Sequence, residues 1–101
     1  MRIVAHRPAA WFLAEDDDGA LLLDVHCSHG AADFSVLARL TPDERADHAA
    51  RGDAALDALA ERIQDTGPRA FAERDAGRPA SARFNACAMA WLAARRGATD
   101  A

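Results

Sequence analysis

The first forty residues carry apolar side chains at alternate positions, which is the period of a β-strand with one buried face. Residues 11–24 hold two such runs around Asp16-Asp17-Asp18-Gly19, a sequence typical of a hairpin turn. A three-residue loop with Gly19 in the left-handed conformation places Trp11 and Leu13 in the core. Their predicted partners on the second strand are Val25 and Leu23. Loops of two or four residues are the alternatives, and they would bury the other set of side chains.

Two further strands are indicated on either side of this hairpin. Ile3-Val4-Ala5 fits a short edge strand, and Pro8 would end it. Residues 34–40 alternate again and predict a third antiparallel strand after the hairpin. Residues 69–79 contain Phe71, which needs an apolar anchor, and they fit either a fourth strand or an irregular crossing.

Helix signals dominate the second half of the chain. Thr41-Pro42-Asp43-Glu44 combines an N-cap, a proline in the first turn and a glutamate three residues after the cap. We therefore predict a long helix from Pro42 to about Asp65, ended by Gly67-Pro68. A second helix is predicted from Ser81 to Arg96, with Gly97 at its end.

Together these elements predict one α+β domain over residues 1–101. Its antiparallel sheet has three or four strands, packs against two helices, and follows the order β-β-β-α-(β)-α. We expect both helices on one face of the sheet. The opposite face would then stay partly open to solvent, with these side chains on it: Phe12, Leu22, Asp24 and His26.

The C-terminal helix is apolar around nearly its whole circumference. Between positions 82 and 94 only Arg83 and Asn85 are polar, and a helix of this kind is normally buried. One side can pack on the sheet, so Met89 and Leu92 need a second neighbour. That neighbour is either the long helix or another copy of the chain, and a homodimer would place Met89 and Leu92 in its contact.

Composition narrows the classes of function. Alanine accounts for 27 of the 101 residues and every basic residue is arginine, which favours a GC-rich, bacterial coding sequence. The formal net charge of −4 argues against nucleic acid as a partner. We see neither a signal peptide nor a membrane span, and therefore expect a cytoplasmic protein without a membrane partner. Cys27 and Cys87 are expected to be free thiols.

Acidic residues recur on the predicted outer side of the long helix. Like charges four residues apart destabilise a helix by about 0.2–0.5 kcal/mol per pair, so these repeated acidic residues lower the stability of the helix itself. A plain solvated surface explains it, and so does contact with a cationic surface such as a basic protein partner. We define this acidic face by six residues: Asp43, Asp47, Asp53, Asp57, Glu61 and Asp65.

Candidate chemistry is sparse. His26, His29 and His48 are weak metal candidates, because a metal site needs three or four converging ligands. Cys27 adjoins histidines but falls on the core side of its strand, which favours an inert thiol over a nucleophile. Arginines near the start of the second helix could hold an anion, although pairing with the acidic face ranks higher. These arginines are Arg69, Arg74, Arg78 and Arg83.

The resulting functional hypothesis is a non-enzymatic interaction or regulatory protein that self-associates, without a catalytic residue, metal or cofactor. The alternative is a small-ligand or metal-binding protein that uses the region of His26, His29 and His48. An enzyme that uses Cys27 ranks third. Pathway, partner and ligand are not specified by these patterns.

Overall fold

A computed structural model describes residues 1–29, 32–66 and 74–100, and gives the backbone alone at 28, 29, 32–34 and 97–100. The described ranges form four strands and three helices, which confirms the α+β class. The strands pair as an antiparallel meander in the order β1-β2-β3-β4. Their bounds are β1 Arg2–Arg7, β2 Trp11–Glu15, β3 Leu21–His29 and β4 Ala32–Arg39.

The hairpin between β2 and β3 has the predicted three-residue loop. Trp11 lies opposite Val25, and Leu13 lies opposite Leu23. Gly19 has φ +85°, and its backbone N–H donates to the Asp16 carbonyl at 2.9 Å. Residues with side chains rarely adopt this φ, so glycine is the residue that this turn favours.

The predicted long helix is two helices, α1 Pro42–Arg51 and α2 Asp53–Thr66. The break lies at Gly52, where φ is +65° and the backbone N–H donates to the His48 carbonyl at 2.7 Å. With ψ at −142°, this glycine lies in a region of backbone conformation that is essentially confined to glycine, so the helix ends here. The predicted start is confirmed, because Thr41 and Glu44 form a reciprocal capping box.

The third helix, α3 Arg78–Asp100, begins three residues before the predicted start and continues past Gly97. It lies on the opposite face of the sheet from α2, which differs from the expected one-sided layering. The cause is that the sheet is apolar on both faces. Leu23 and Val25 pack with α2, whereas Leu22 packs with α3.

Each face of the sheet therefore has its own core cluster. The first contains Leu56, Leu59 and Ile63 of α2 against the side of the sheet that carries Trp11. The second contains Ala80, Phe84 and Ala88 of α3, spaced four residues apart. They pack against the other side of the sheet, on Ala14, Leu22 and Leu37. Across the described residues, none of the helices is long and apolar enough to span a membrane.

The segment for which a fourth strand was considered is described only in part, because residues 67–73 lie outside the described residues. Asp75 forms an isolated antiparallel bridge with Ala38 of β4, and the backbone N–H of Ala76 donates to the Leu37 carbonyl at 2.9 Å. The fourth strand of the sheet is β1, which contains the segment predicted as a short edge strand.

Candidate functional site

A row of three side chains crosses the sheet on the face that α3 covers. His6 of β1 lies opposite Phe12 of β2, and Phe12 lies opposite Asp24 of β3. Directly opposite residues of an antiparallel sheet point to the same side, so the three side chains are neighbours. We call this set the His6–Phe12–Asp24 row.

Asp24 is the unusual member of the row. Its side chain is largely buried, yet no hydrogen bond or salt bridge reaches its carboxylate from the described part of the chain. Burial raises its pKa from 3.8 to about 6, although the nearby His26 works in the opposite direction. A buried carboxylate without a partner is costly, because the ionised form loses its hydration and gains little in exchange.

His6 sits in an aromatic cluster at the other end of the row. Its ring stacks on Phe12 with centroids 4.2 Å apart, and its centroid is 5.1 Å from that of Trp91 on α3. Its Nδ1 is buried without a hydrogen-bond partner among the described residues. Burial lowers the pKa of His6, and the positive charge of Arg95 adds to this effect. The cluster joins the C-terminal half of α3 to β1 and β2.

Beside Asp24 the sheet surface forms a cavity of about 380 Å³. Its wall includes Phe12, Asp24 and His26, the hydroxyl residue Ser35 of β4, and Arg7 at the end of β1. Among the described residues that line it, none belongs to α3. The volume is within the range of small-molecule sites, about 300–1,000 Å³.

The turn between β1 and β2 borders the same cavity and contains a backbone outlier. Ala9 has φ +62°, the one positive φ at a residue other than glycine in the described ranges. The Ala10 backbone N–H donates to the Arg7 carbonyl at 3.0 Å, so Pro8 and Ala9 occupy the two central positions of a β-turn. Holding alanine in this conformation costs about 1–2 kcal/mol.

On α3, the side that faces away from the sheet carries small apolar residues around one large side chain. Met89 is 71 % exposed, while Leu92 is half-buried beside it. We define the outer face of α3 by four exposed residues: Ala82, Ala86, Met89 and Ala93.

The predicted acidic face is divided by the break at Gly52. Its α1 members include Asp47, which forms a salt bridge with Arg51 of the same helix. Within α2, Asp57 accepts hydrogen bonds from Trp11 Nε1 at 2.9 Å and from the Arg7 guanidinium at 2.9 and 3.1 Å. These bonds, led by the one from Trp11, lower the pKa of Asp57.

The other four members of the acidic face are exposed. They make no ion pair within the described ranges. They are Asp43, Asp53, Glu61 and Asp65.

The candidate metal ligands are not brought together where the structure describes them. His26 stands on the α3 face of the sheet, whereas His48 stands on α1, a helix that packs against α2. The side chain of His29 lies outside the described residues. Among the described His, Cys, Asp and Glu side chains, no group of three could hold a metal ion.

Cys27 is buried in the first core cluster, where its Sγ lies 3.8 Å from the Val25 carbonyl oxygen. Burial raises the pKa of its thiol, and the negative charge of Asp24 raises it further. A raised pKa disfavours the reactive thiolate. Cys87 is also a free thiol and is half-buried.

Two of the arginines that were considered for an anion site have intramolecular partners, whereas the side chain of Arg78 is exposed and makes no salt bridge within the described ranges. Arg83 pairs with Asp16 at 2.8 Å, and Arg74 pairs with Glu44, the residue that caps α1. Burial alone would raise the pKa of Glu44, but hydrogen bonds from Arg74 and from the Thr41 N–H hold it below its usual value. Arg69 lies outside the described residues.

Sequence reasoning placed Asp24 and His26 on this face of the sheet but assigned no role to Asp24. A signal was available for Asp24, which is the only charged residue between Leu21 and Val25 of a strand buried on both faces. Comparison with family models, with curated proteins and with solved structures finds no match to this chain.

Proposed function

We propose that the chain is a non-enzymatic interaction module of the bacterial cytoplasm, and that it self-associates through the outer face of α3. One observation carries this proposal: α3 exposes a continuous apolar strip after it has covered the sheet. Met89, the largest side chain of the strip, is 71 % exposed.

The spacing of the strip suits a second helix. Ala82, Ala86, Met89 and Ala93 follow one another at intervals of four, three and four residues. This spacing places apolar residues along one helical seam, as in paired helices. Alanines allow two helix backbones to approach closely, and Met89 offers a flexible side chain that fills the remaining gaps.

The layering supports a second copy as the occupant. Within one chain, α2 packs on the opposite face of the sheet and is not available to cover the outer face of α3. Of the two neighbours considered from the sequence, this arrangement favours another copy of the chain over the long helix.

Light scattering coupled to size exclusion, over protein concentrations from about 1 µM to about 1 mM, tests this proposal. The contact is a single helix face, so we expect a dimer whose population rises across this range. Ala86→Glu should shift the protein to monomer, because it introduces a charge into the contact. Ala58→Glu is the matched control on the exposed side of α2 and should leave the dimer intact. A monomer mass at every concentration would rule out self-association.

A basic protein partner on the acidic face is a second candidate. It is favoured by Asp53, Glu61 and Asp65, which are exposed on α2 without an intramolecular cation in the described ranges. Replacing these three with lysine tests the face, and Asp57 is left intact because it holds Trp11 and Arg7. Loss of partner capture with unchanged unfolding would support a docking role. If partner capture and assembly are unchanged, the acidic face is only a solvated surface.

A further inference from the structure

We propose that the cavity beside Asp24 binds a small organic ammonium ion, with the Asp24 carboxylate as its counter-ion and Phe12 as its apolar wall. The site lies apart from the outer face of α3, because the described residues that line the cavity come from the four strands and the turn between β1 and β2. It is therefore independent of self-association.

The charges around the cavity favour a cation over an anion. Arg7 also lines the wall, but its guanidinium is already held by Asp57 through two hydrogen bonds. Asp24 has no such partner in the described part of the chain. A bound ammonium would supply the charge and the hydrogen bonds that the carboxylate lacks, and a largely buried ion pair is stronger than an exposed one.

The remaining wall limits the ligand to a compact molecule with an apolar body. The ring of Phe12 is fixed in place by stacking on His6 and by an edge contact with Phe84, 5.8 Å between centroids. His26 and Ser35 add hydrogen-bonding side chains at the rim. A volume of about 380 Å³ suits an amine with a single ring or a short alkyl chain.

The backbone around the cavity is consistent with a built site. Ala9, held at φ +62°, lines the cavity in the turn that follows Arg7. Strained residues cluster where a ligand site over-determines the local conformation.

An NMR titration of the ¹⁵N-labelled chain with benzylamine tests the proposal, with the amides of Phe12, Asp24 and Ser35 as reporters. We expect saturable binding with a Kd of about 1 mM or tighter at pH about 7.5. A second titration uses Nα-acetyl-lysine amide in place of benzylamine. Tighter binding of this probe would indicate that the amine comes from a protein side chain, and tighter binding of benzylamine would indicate a free amine. Benzyl alcohol is the neutral control and should not saturate.

Affinity for the ammonium should weaken about tenfold between pH about 7.5 and about 5, because the Asp24 carboxylate takes up a proton with a pKa of about 6. The other charged or titratable groups described near it are His26 and Cys27 on the same strand, His6 and Arg7 on β1, and Arg95 of α3 near His6. We expect His26→Gln to keep this pH dependence.

The substitution Asp24→Asn should abolish binding at every pH, while circular dichroism confirms that the variant is folded. The proposal is overturned if neither amine saturates, if benzyl alcohol binds as well as benzylamine, or if folded Asp24→Asn binds as tightly as the wild type. It is also overturned if the pH dependence is lost in His26→Gln.

Discussion

Ionisation of Asp24 works against folding, and this gives a stability prediction of unusual sign. Its folded-state pKa is raised above 3.8, because burial disfavours the charged carboxylate. The contribution of this group to stability is therefore complete below about pH 3.8 and is lost as the pH rises to 6 and beyond. Asp24→Asn keeps the shape of the side chain and removes this ionisation.

The magnitude follows from the two pKa values. Each pKa unit between the folded and unfolded chain corresponds to about 1.4 kcal/mol, so the interval from 3.8 to about 6 corresponds to about 3 kcal/mol. Solvent still reaches part of the carboxylate and screens it, which reduces the expected effect to about 2 kcal/mol. A domain of this size is stable by about 5–15 kcal/mol, so the change is readily measured.

Urea unfolding of the wild type and of Asp24→Asn at several pH values between about 4 and about 7.5 measures this effect. The difference between the two free energies of unfolding isolates residue 24, because the other titrating groups are common to both proteins. We expect Asp24→Asn to gain about 2 kcal/mol on the wild type as the pH rises through this range.

A matched control is Asp57→Asn on α2. The pKa of Asp57 is lowered by Trp11 and Arg7, so its contribution is lost only as the pH falls through values below 3.8. The difference between this variant and the wild type should therefore stay constant above pH about 5. A constant difference for Asp24→Asn as well would refute the reasoning, because it would show that residue 24 is ionised equally easily in the folded and the unfolded chain.

Two further predictions test the layering and the helix break by urea unfolding at neutral pH. Phe84→Ala should cost about 3–5 kcal/mol, because Phe84 is 4 % exposed and anchors α3 to the second face of the sheet; a loss below about 1 kcal/mol would contradict this packing. Gly52→Ala should lower the free energy of unfolding by about 1 kcal/mol or more, because φ +65° with ψ −142° is a conformation that is essentially confined to glycine. In an uninterrupted helix the same change would raise the free energy of unfolding by about 1 kcal/mol. The sign of the measured change therefore shows whether the helix is interrupted at Gly52.

The hairpin register and the start of α1 could be predicted because both depend on short-range chemistry. Gly19 fixes the loop length, and the loop length fixes which side chains face inward. Thr41 and Glu44 satisfy each other's backbone N–H groups within a span of four residues. Neither feature requires knowledge of what packs on the sheet.

The two-sided layering was missed, although the sequence contained a signal for it. Leu21, Leu22 and Leu23 are consecutive, and a strand without alternation is typical of a sheet covered on both faces. Leu37 interrupts the alternation of β4 for the same reason, since it packs under α3. Because α3 packs on the second face of the sheet, the sheet covers much of the apolar surface of that helix. Met89 is the large apolar side chain of α3 that stays exposed.

The break at Gly52 and the His6–Phe12–Asp24 row depend on information that short-range patterns do not contain. A single glycine is tolerated inside many helices, so its presence alone does not predict an end. The row exists because β1 pairs with β2 in a register that places His6 beside Phe12. That register includes an irregularity between Ile3 and Ala5, which alternation along the chain cannot anticipate.

The stability prediction and the ligand proposal concern the same carboxylate and constrain each other. An acid that costs the empty fold about 2 kcal/mol is compensated when an ammonium ion occupies the cavity beside it. Ligand should therefore stabilise the wild type most at pH above about 6, where the unliganded protein bears the full cost. Without ligand, Asp24→Asn should be more stable than the wild type. Ligand should stabilise the wild type but not Asp24→Asn. A residue that lowers stability but is needed for binding is expected at a functional position.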